Sequence, residues 1–235
     1  MDGAIIKTKK AGRLTGIIGP MFAGKTTEMK RRIDRDKIAG KAFRIFKPEV
    51  DNRYSTYMIT THNFDYEHAI VLKDTRDILM HIESKKPMPG ETFYFDELQF
   101  LSSSIIGAVQ AFVANGINVT YTMLPAISEG RPFPFKDGKK HAGDLLALHH
   151  DEIVHLVAVC TSCGNEAAYT FYMKGRKDAV LVGGTDDYTA LCSQCYWEKT
   201  GGEQALSNMR QMGDEISQMF AETNNICRNE QCLQK

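Results

Sequence analysis

The chain has 235 residues, 43% hydrophobic and 25% charged, enough for one large domain or one domain with a small module, and its make-up excludes disorder as the default. Lys and Arg number 29 and Asp and Glu also 29, so no global basic field draws the protein onto nucleic acid or an anionic membrane, and neither is expected as a partner. Nowhere do eighteen uninterrupted apolar residues occur, and residues 1–13 lack an apolar core of signal-peptide length, so a soluble, cytoplasmic protein is expected.

Leu14–Ile18 is short, apolar and rich in β-branched residues, the signature of a strand. Directly after it, Gly19, Pro20, Met21, Phe22, Ala23, Gly24, Lys25 and Thr26 form a complete GxxxxGKT loop, and a helical stretch follows over residues 26–39. This is the setting of a triphosphate-binding loop: glycines turn backbone N–H groups inward around an anion, Lys25 reaches the β- and γ-phosphates, and the Thr26 hydroxyl ligates Mg²⁺. The helix adds its positive end. Arg31, Arg32, Arg35 and Lys37 on that helix alternate with Glu28, Asp34 and Asp36, which reads as a solvated face rather than an anion patch.

Further strands are expected at residues 43–47, 69–72, Thr92–Phe95 and Asn118–Met123, with helices at Thr75–Ser84 and residues 103–115 between them. Alternation of this kind predicts an α/β fold, a P-loop NTPase-like parallel sheet flanked by helices. The strand Thr92–Phe95 ends in Asp96 and Glu97, where phosphate-loop enzymes place an acid beside Mg²⁺ and the γ-phosphate. Two acids imply two jobs: Asp96 holds the metal through water, and Glu97 accepts a proton from an attacking hydroxyl. The bland alternative is that Glu97 caps the following helix.

Residues 128–143, with Pro132, Pro134 and a Lys-Asp-Gly-Lys-Lys run, read as a mobile loop. Beyond Val159, Cys160 and Cys163 form one CxxC pair and Cys192 and Cys195 another, 28 residues apart. Four thiolates make a closed tetrahedral site, so the expected metal is a structural Zn²⁺, with disulfides or an iron–sulfur cluster as alternatives. His155 reads as a strand residue rather than a fifth ligand. Cys227 and Cys232 fall in a polar tail, which also carries an amphipathic stripe over residues 205–220 that reads as a packing or subunit-contact face. The expected division is a P-loop nucleotide-binding domain over 12–159, a Cys₄ zinc-binding lasso module over 160–197, and a partly helical tail over 198–235.

Gly-Pro-Met-Phe-Ala-Gly-Lys-Thr-Thr-Glu, Asp96-Glu97-Leu98-Gln99-Phe100, Asp51-Asn52-Arg53-Tyr54, Thr61-His62, Glu166-Ala167-Ala168-Tyr169-Thr170 and Gly183-Gly184-Thr185-Asp186-Asp187-Tyr188 occur in order. Together they resemble the type II, zinc-containing thymidine kinases over residues 12 to 197. The resemblance implies that ATP is the co-substrate, that Glu97 deprotonates a nucleoside 5′-hydroxyl, and that Arg53 and Gln99 belong with the ATP and Mg²⁺ side of the site. It implies a lasso between the cysteine pairs whose backbone at Ala179, Val180, Leu181, Val182 and Gly183 reads the base, with Tyr188 closing on it. Met21, Leu124 and Thr170 match positions around the thymine methyl, and Phe100 matches an aromatic wall. A homotetramer, feedback-inhibited by the end-product triphosphate, is also implied.

One segment departs from the family pattern Leu-Asp-x-x-Phe/Tyr-x-Gly-x-Pro-Phe: Pro125 stands for the acid and Ser128 for the aromatic. Loss of a stacking ring of about 1–3 kcal/mol weakens nucleoside binding tenfold or more unless Phe133 or Phe135 substitutes. The departure bears on base selectivity rather than on phosphoryl transfer. Competing readings are a nucleoside kinase of altered base specificity, a phosphate-loop ATPase whose zinc ribbon binds nucleic acid or protein, and a regulator that binds nucleotide without turnover.

Overall fold

The computed structural model describes residues 10–50, 58–60, 66–174, 187–202 and 211. The chain divides into two compact units, residues 1–192 and 193–235. In chain order the first unit contains β1 (Leu14–Ile18), α1 (Lys25–Ile38), β2 (Phe43–Pro48), β3 (Met58–Thr60), β4 (Tyr66–His68), β5 (Ile70–Leu72), α2 (Thr75–Ser84), β6 (Thr92–Phe95), α3 (Ile105–Ala114) and β7 (Asn118–Met123). It continues with α4 (Ala142–Leu146), β8 (Glu152–His155), β9 (Ala158–Val159), β10 (Glu166–Ala167), β11 (Tyr169–Tyr172) and β12 (Tyr188–Leu191). The second unit contributes α5 (Ser193–Lys199).

All five expected strands join one sheet of order β5-β2-β6-β7-β1-β8, every pairing parallel. Side chains alternate between its faces, as strand geometry requires. Phe46, Phe93, Phe95, Val119 and Tyr121 point to the side covered by Ile78 of α2 and by Ile105, Val109 and Phe112 of α3. Ile17, Ile45 and Tyr94 point to the other side, against Met29 and Ile33 of α1. The first face is aromatic: the Phe46 and Phe95 rings stack at 4.9 Å, and Phe93 meets Phe46 and Phe112 edge-on, each at 5.2 Å. Each fully buried ring contributes about 1.5–3 kcal/mol relative to exposure.

The sixth strand, β8, was not anticipated. It lies at the sheet edge and half of it is polar, so it lacks the apolar run that marks the other strands, although His155 within it reads as a strand residue. His155 is its last residue and is exposed, in line with an ordinary strand position.

The loop expected to be mobile is instead pinned. Its backbone pairs at Ala126 with Pro132 and at Pro134 with His141, Lys136 N–H donates to the Leu101 carbonyl at 3.0 Å, and Ala142 N–H to the Phe133 carbonyl at 2.7 Å. Phe133 and Phe135 are only 6% and 2% exposed, sunk into the same core as α3. Two buried rings therefore anchor a segment whose Gly, Pro and Lys content suggests solvent.

Beyond β8 the chain forms two short antiparallel pairs, β9 with β10 and β11 with β12. Met173 N–H donates to the Asp187 carbonyl at 2.9 Å, so the segment between the cysteine pairs leaves and returns at facing positions. No helix among the described residues is long and apolar enough to cross a membrane.

Candidate active site

In a parallel sheet the loops at the carboxyl ends of the strands form the ligand-binding edge. Here β1, β6 and β7 end side by side, with β7 between the other two. After β1 the chain turns through Gly19 to Gly24. A Cβ on Gly19 would meet the Leu156 carbonyl oxygen at 2.4 Å, and Gly24 has φ 80°, a left-handed turn that launches α1 without strain only as glycine. Lys25 and Thr26 are thereby set in the first turn of α1. Lys25 is 6% exposed; its Nζ donates to the Pro20 carbonyl at 3.0 Å and lies 3.9 Å from Glu97 Oε1. Met21 N–H donates to Thr170 Oγ1 at 3.0 Å, which ties the loop to β11.

Asp96 extends β6 by one residue, its N–H donating to the Phe46 carbonyl at 3.0 Å. Its Oδ1 lies 3.4 Å from the Thr26 hydroxyl. Glu97 then breaks the strand with φ 49° and ψ 52°, a left-handed conformation that costs a residue with a Cβ about 1–2 kcal/mol. Beyond that turn the Glu97 carboxylate lies beside Lys25, while that of Asp96 lies beside Thr26. Gln99, 1% exposed, fastens the result: its Nε2 donates to Glu97 Oε2 at 2.5 Å, and its Oε1 accepts from Leu124 N–H at 3.3 Å. Glu97 precedes a 3₁₀ turn, Leu98–Phe100, and its side chain makes no capping hydrogen bond there, so the capping alternative fails. Glu97 is thus a buried carboxylate held beside an ammonium and an amide, next to a phosphate-type loop, and is a group that can accept a proton.

Phe100 meets Phe133 edge-on at 5.6 Å. Where the family pattern has an aromatic ring, Ser128 donates to its neighbour Glu129 at 3.2 Å. Phe135 is committed to the core rather than to the cleft. Tyr188 is half-buried and tilts against Tyr172 at 5.1 Å. Arg53 with Asp51-Asn52-Arg53-Tyr54, the Thr61-His62 pair, Ala179, Val180, Leu181, Val182 and Gly183 lie outside the described residues, as do the tail stripe, Cys227 and Cys232.

The sulfur atoms of Cys160, Cys163, Cys192 and Cys195 all lie within 4.8 Å of one another, with Cys163 and Cys192 at 3.6 Å. A tetrahedral zinc with Zn–S near 2.3 Å needs S···S separations of about 3.8 Å, so four thiols at this spacing, none of them in a disulfide, fit the ion. The first knuckle closes with Gly164 N–H donating to the Cys160 carbonyl at 2.8 Å, Gly164 taking φ 79°. Backbone N–H groups of Cys192, then of Ser162 and Cys163, favour the thiolate and push the Cys160 thiol down to about 6.

The charged face of α1 is solvated, as expected: Arg31, Arg35 and Lys37 are exposed and Arg32 is half-buried. Arg32 makes a double hydrogen bond to Glu152 at 2.8 and 2.9 Å, and Arg31 and Arg32 share Glu28. With Arg13, Arg35 and Lys41 they line a polar groove of about 550 Å³ at the opposite, amino-terminal edge of the sheet, away from the phosphate-type loop.

A protein-family model described as thymidine kinase matches residues 12–196. A thymidine kinase of Thermococcus kodakarensis is 35% identical over 190 residues, covering 78% of this chain and 93% of that protein. Thymidine kinases of Bacteroides thetaiotaomicron and Bacteroides fragilis are 31% identical over 198 residues and 32% over 192, covering 84% and 82% of this chain and 93% and 90% of theirs.

Proposed function

Because the chain belongs to the thymidine kinase family, we propose that it transfers the γ-phosphoryl group of ATP to the 5′-hydroxyl of thymidine or of a close relative such as deoxyuridine. The observation that carries this is the convergence of Lys25 and Thr26 from one loop with Asp96 and Glu97 from another, Glu97 standing 3.9 Å from the Lys25 ammonium. Lys25 exchanges its Pro20 and Glu97 partners for phosphate oxygens when ATP arrives. Backbone N–H groups from Gly19 to Thr26 surround the same phosphates.

Glu97 takes the proton from the 5′-hydroxyl as that oxygen closes on the γ-phosphorus, and Gln99 keeps the carboxylate aimed. The Thr26 hydroxyl and the Asp96 carboxylate, two hard oxygens at 3.4 Å, are the groups that would hold Mg²⁺, and the pair fits its preference for oxygen ligands. When bound, the ion offsets charge on the phosphate oxygens. The four-cysteine cluster leaves no open coordination position, so zinc there acts on the shape of the module and not on the reaction.

The base side is supported by the family; Met21 is tied to Thr170 of β11 by one hydrogen bond, and Leu124 to Gln99 by another. Family membership also supports a cytoplasmic enzyme that assembles as a homotetramer. The test is direct. Purified protein is incubated with Mg·ATP and each deoxynucleoside, and 5′-monophosphate is measured; thymidine or deoxyuridine is the expected acceptor. Absence of product from every pyrimidine nucleoside defeats the reading, whereas a shifted preference among them traces to Pro125 and Ser128.

A further inference from the structure

At the end of β7 one hydroxyl holds both acids of the cleft. β6 and β7 run in parallel register with Phe95 beside Tyr121, so one residue further on Asp96 lies level with Thr122. Thr122 is fully buried. Its Oγ1 donates to Asp96 Oδ1 at 2.6 Å and accepts from Glu97 N–H at 2.8 Å. The directions are forced, because a backbone N–H can only donate, a carboxylate can only accept, and a threonine hydroxyl has one proton to give. A single side chain therefore fixes the backbone of one acid and the carboxylate of the other.

We propose that Thr122 is a positioning residue for phosphoryl transfer, setting Glu97 and Asp96 in one fixed relation across the cleft. The inference rests on the reading of Glu97 as base and Asp96 as the metal-side acid. Thr122 itself reaches neither Lys25 nor the loop before it; its effect passes through the two acids. On Glu97 it acts at the N–H of a left-handed residue, the point at which the chain direction, and so the aim of the carboxylate, is decided. On Asp96 it occupies the oxygen that also faces Thr26, so the hydroxyl orients that carboxylate towards the first turn of α1. Partners that orient a ligating carboxylate in this way typically account for 10–100-fold in metal affinity or activity.

Valine has the shape of threonine without the hydroxyl. The experiment compares wild type, Thr122→Val, Thr122→Ser and Glu97→Gln in steady-state phosphorylation of the best acceptor, with Mg²⁺ titrated at saturating ATP. Thr122→Val is expected to lower kcat about 10–100-fold and raise the half-saturating Mg²⁺ concentration, with the nucleoside KM within about twofold. Thr122→Ser, which restores the hydroxyl, recovers most of both losses. A merely structural role would lower the folded fraction without moving the Mg²⁺ requirement, and serine would not repair it. Should the valine variant not fold, Thr122→Ala, which leaves room for water, carries the same expectation. The proposal is overturned if kcat and the Mg²⁺ requirement of a folded hydroxyl-free variant match wild type while Glu97→Gln is impaired. If Glu97→Gln is itself unimpaired, the failure lies in the underlying reading of the base.

Discussion

Replacing Glu97 by glutamine should have opposite effects on turnover and on ATP affinity. The change keeps the shape and a carbonyl oxygen for Gln99, but removes the group proposed to accept the proton. A general base contributes about 10²–10⁴-fold, or roughly 3–5 kcal/mol of barrier, and kcat should fall by that factor. The carboxylate also stands 3.9 Å from Lys25 Nζ, with both side chains under a tenth exposed. At an effective dielectric of about 20 that attraction is about 4 kcal/mol gross, and it must be given up when Lys25 turns to phosphate. In the empty site of the variant the Pro20 carbonyl still partners Lys25, so only part of the gross figure reaches ATP affinity. Binding about tenfold tighter, ~1.4 kcal/mol, is expected. The nucleotide-free variant should melt lower than wild type, because a buried ammonium has lost its countercharge, and ATP should restore the difference. Titration calorimetry with ATP, thermal melts with and without ATP, and steady-state rates measure the three effects. Turnover within threefold of wild type would remove Glu97 from the role of base. Weaker ATP binding would show that the pairing with Lys25 does not govern the empty site.

Three further outcomes follow from other parts of the molecule. Arg44 and Glu91 form a buried ion pair, 5% and 6% exposed, with Arg44 also donating to the Lys85 carbonyl and lying over the Phe93 ring; Arg44→Met should cost about 3–5 kcal/mol in urea unfolding, and adding Glu91→Leu should return most of it. Purified protein should carry one zinc per chain by elemental analysis, and stripping it, or Cys160→Ser, should lower the melting temperature while ATP still binds the Gly19–Thr26 loop; a metal-free protein of unchanged melting temperature refutes the structural role. Burial, followed by the charges of Arg44 and Lys85, holds the His81 imidazole below its ordinary pKa. The unfolded chain then binds the extra proton more readily, so stability is constant above neutrality and falls as pH drops through about 6.5. Urea midpoints between pH 7.5 and 5.5 should show that fall, and His81→Phe should flatten it.

The parts of this protein legible in sequence are those whose signal is local. The Gly19–Thr26 loop, the Asp96-Glu97 pair and the two CxxC pairs are each complete within a few residues, and the five expected strands of the sheet each carry a short apolar run. The strand β8 escaped because Glu152 and His155 flank only two apolar residues, Ile153 and Val154, and none of the four is fully buried. The loop after Ile127 was misjudged because two phenylalanines outweigh the Gly, Pro and Lys around them, and only the fold shows which cavity those rings fill. Glu97 could be named as an acid at a strand end, but its left-handed turn has no counterpart in composition.

Thr122 marks the boundary of such reading most sharply. A threonine in a β-strand reads as ordinary strand propensity, and the family segment that begins two residues on, at Leu124, points to the base rather than to the acids. Its meaning comes from sheet order. The strand that bears the phosphate-type loop and the strand that bears the acids are not neighbours; each borders β7, which leaves their backbones two strand spacings, about 10 Å, apart. A lysine is long enough to span that distance from one side, but the carboxylates of Asp96 and Glu97 are short and need support from the strand in between. The residue of β7 level with Asp96 therefore lies in the floor of the site, and to hold both acids it must be small, buried and able both to give and to accept a hydrogen bond. Threonine meets all three conditions at position 122, whereas the next inward-facing core position, Tyr121, points to the opposite face. The order of strands, not the motif on either one, makes the middle strand part of the site.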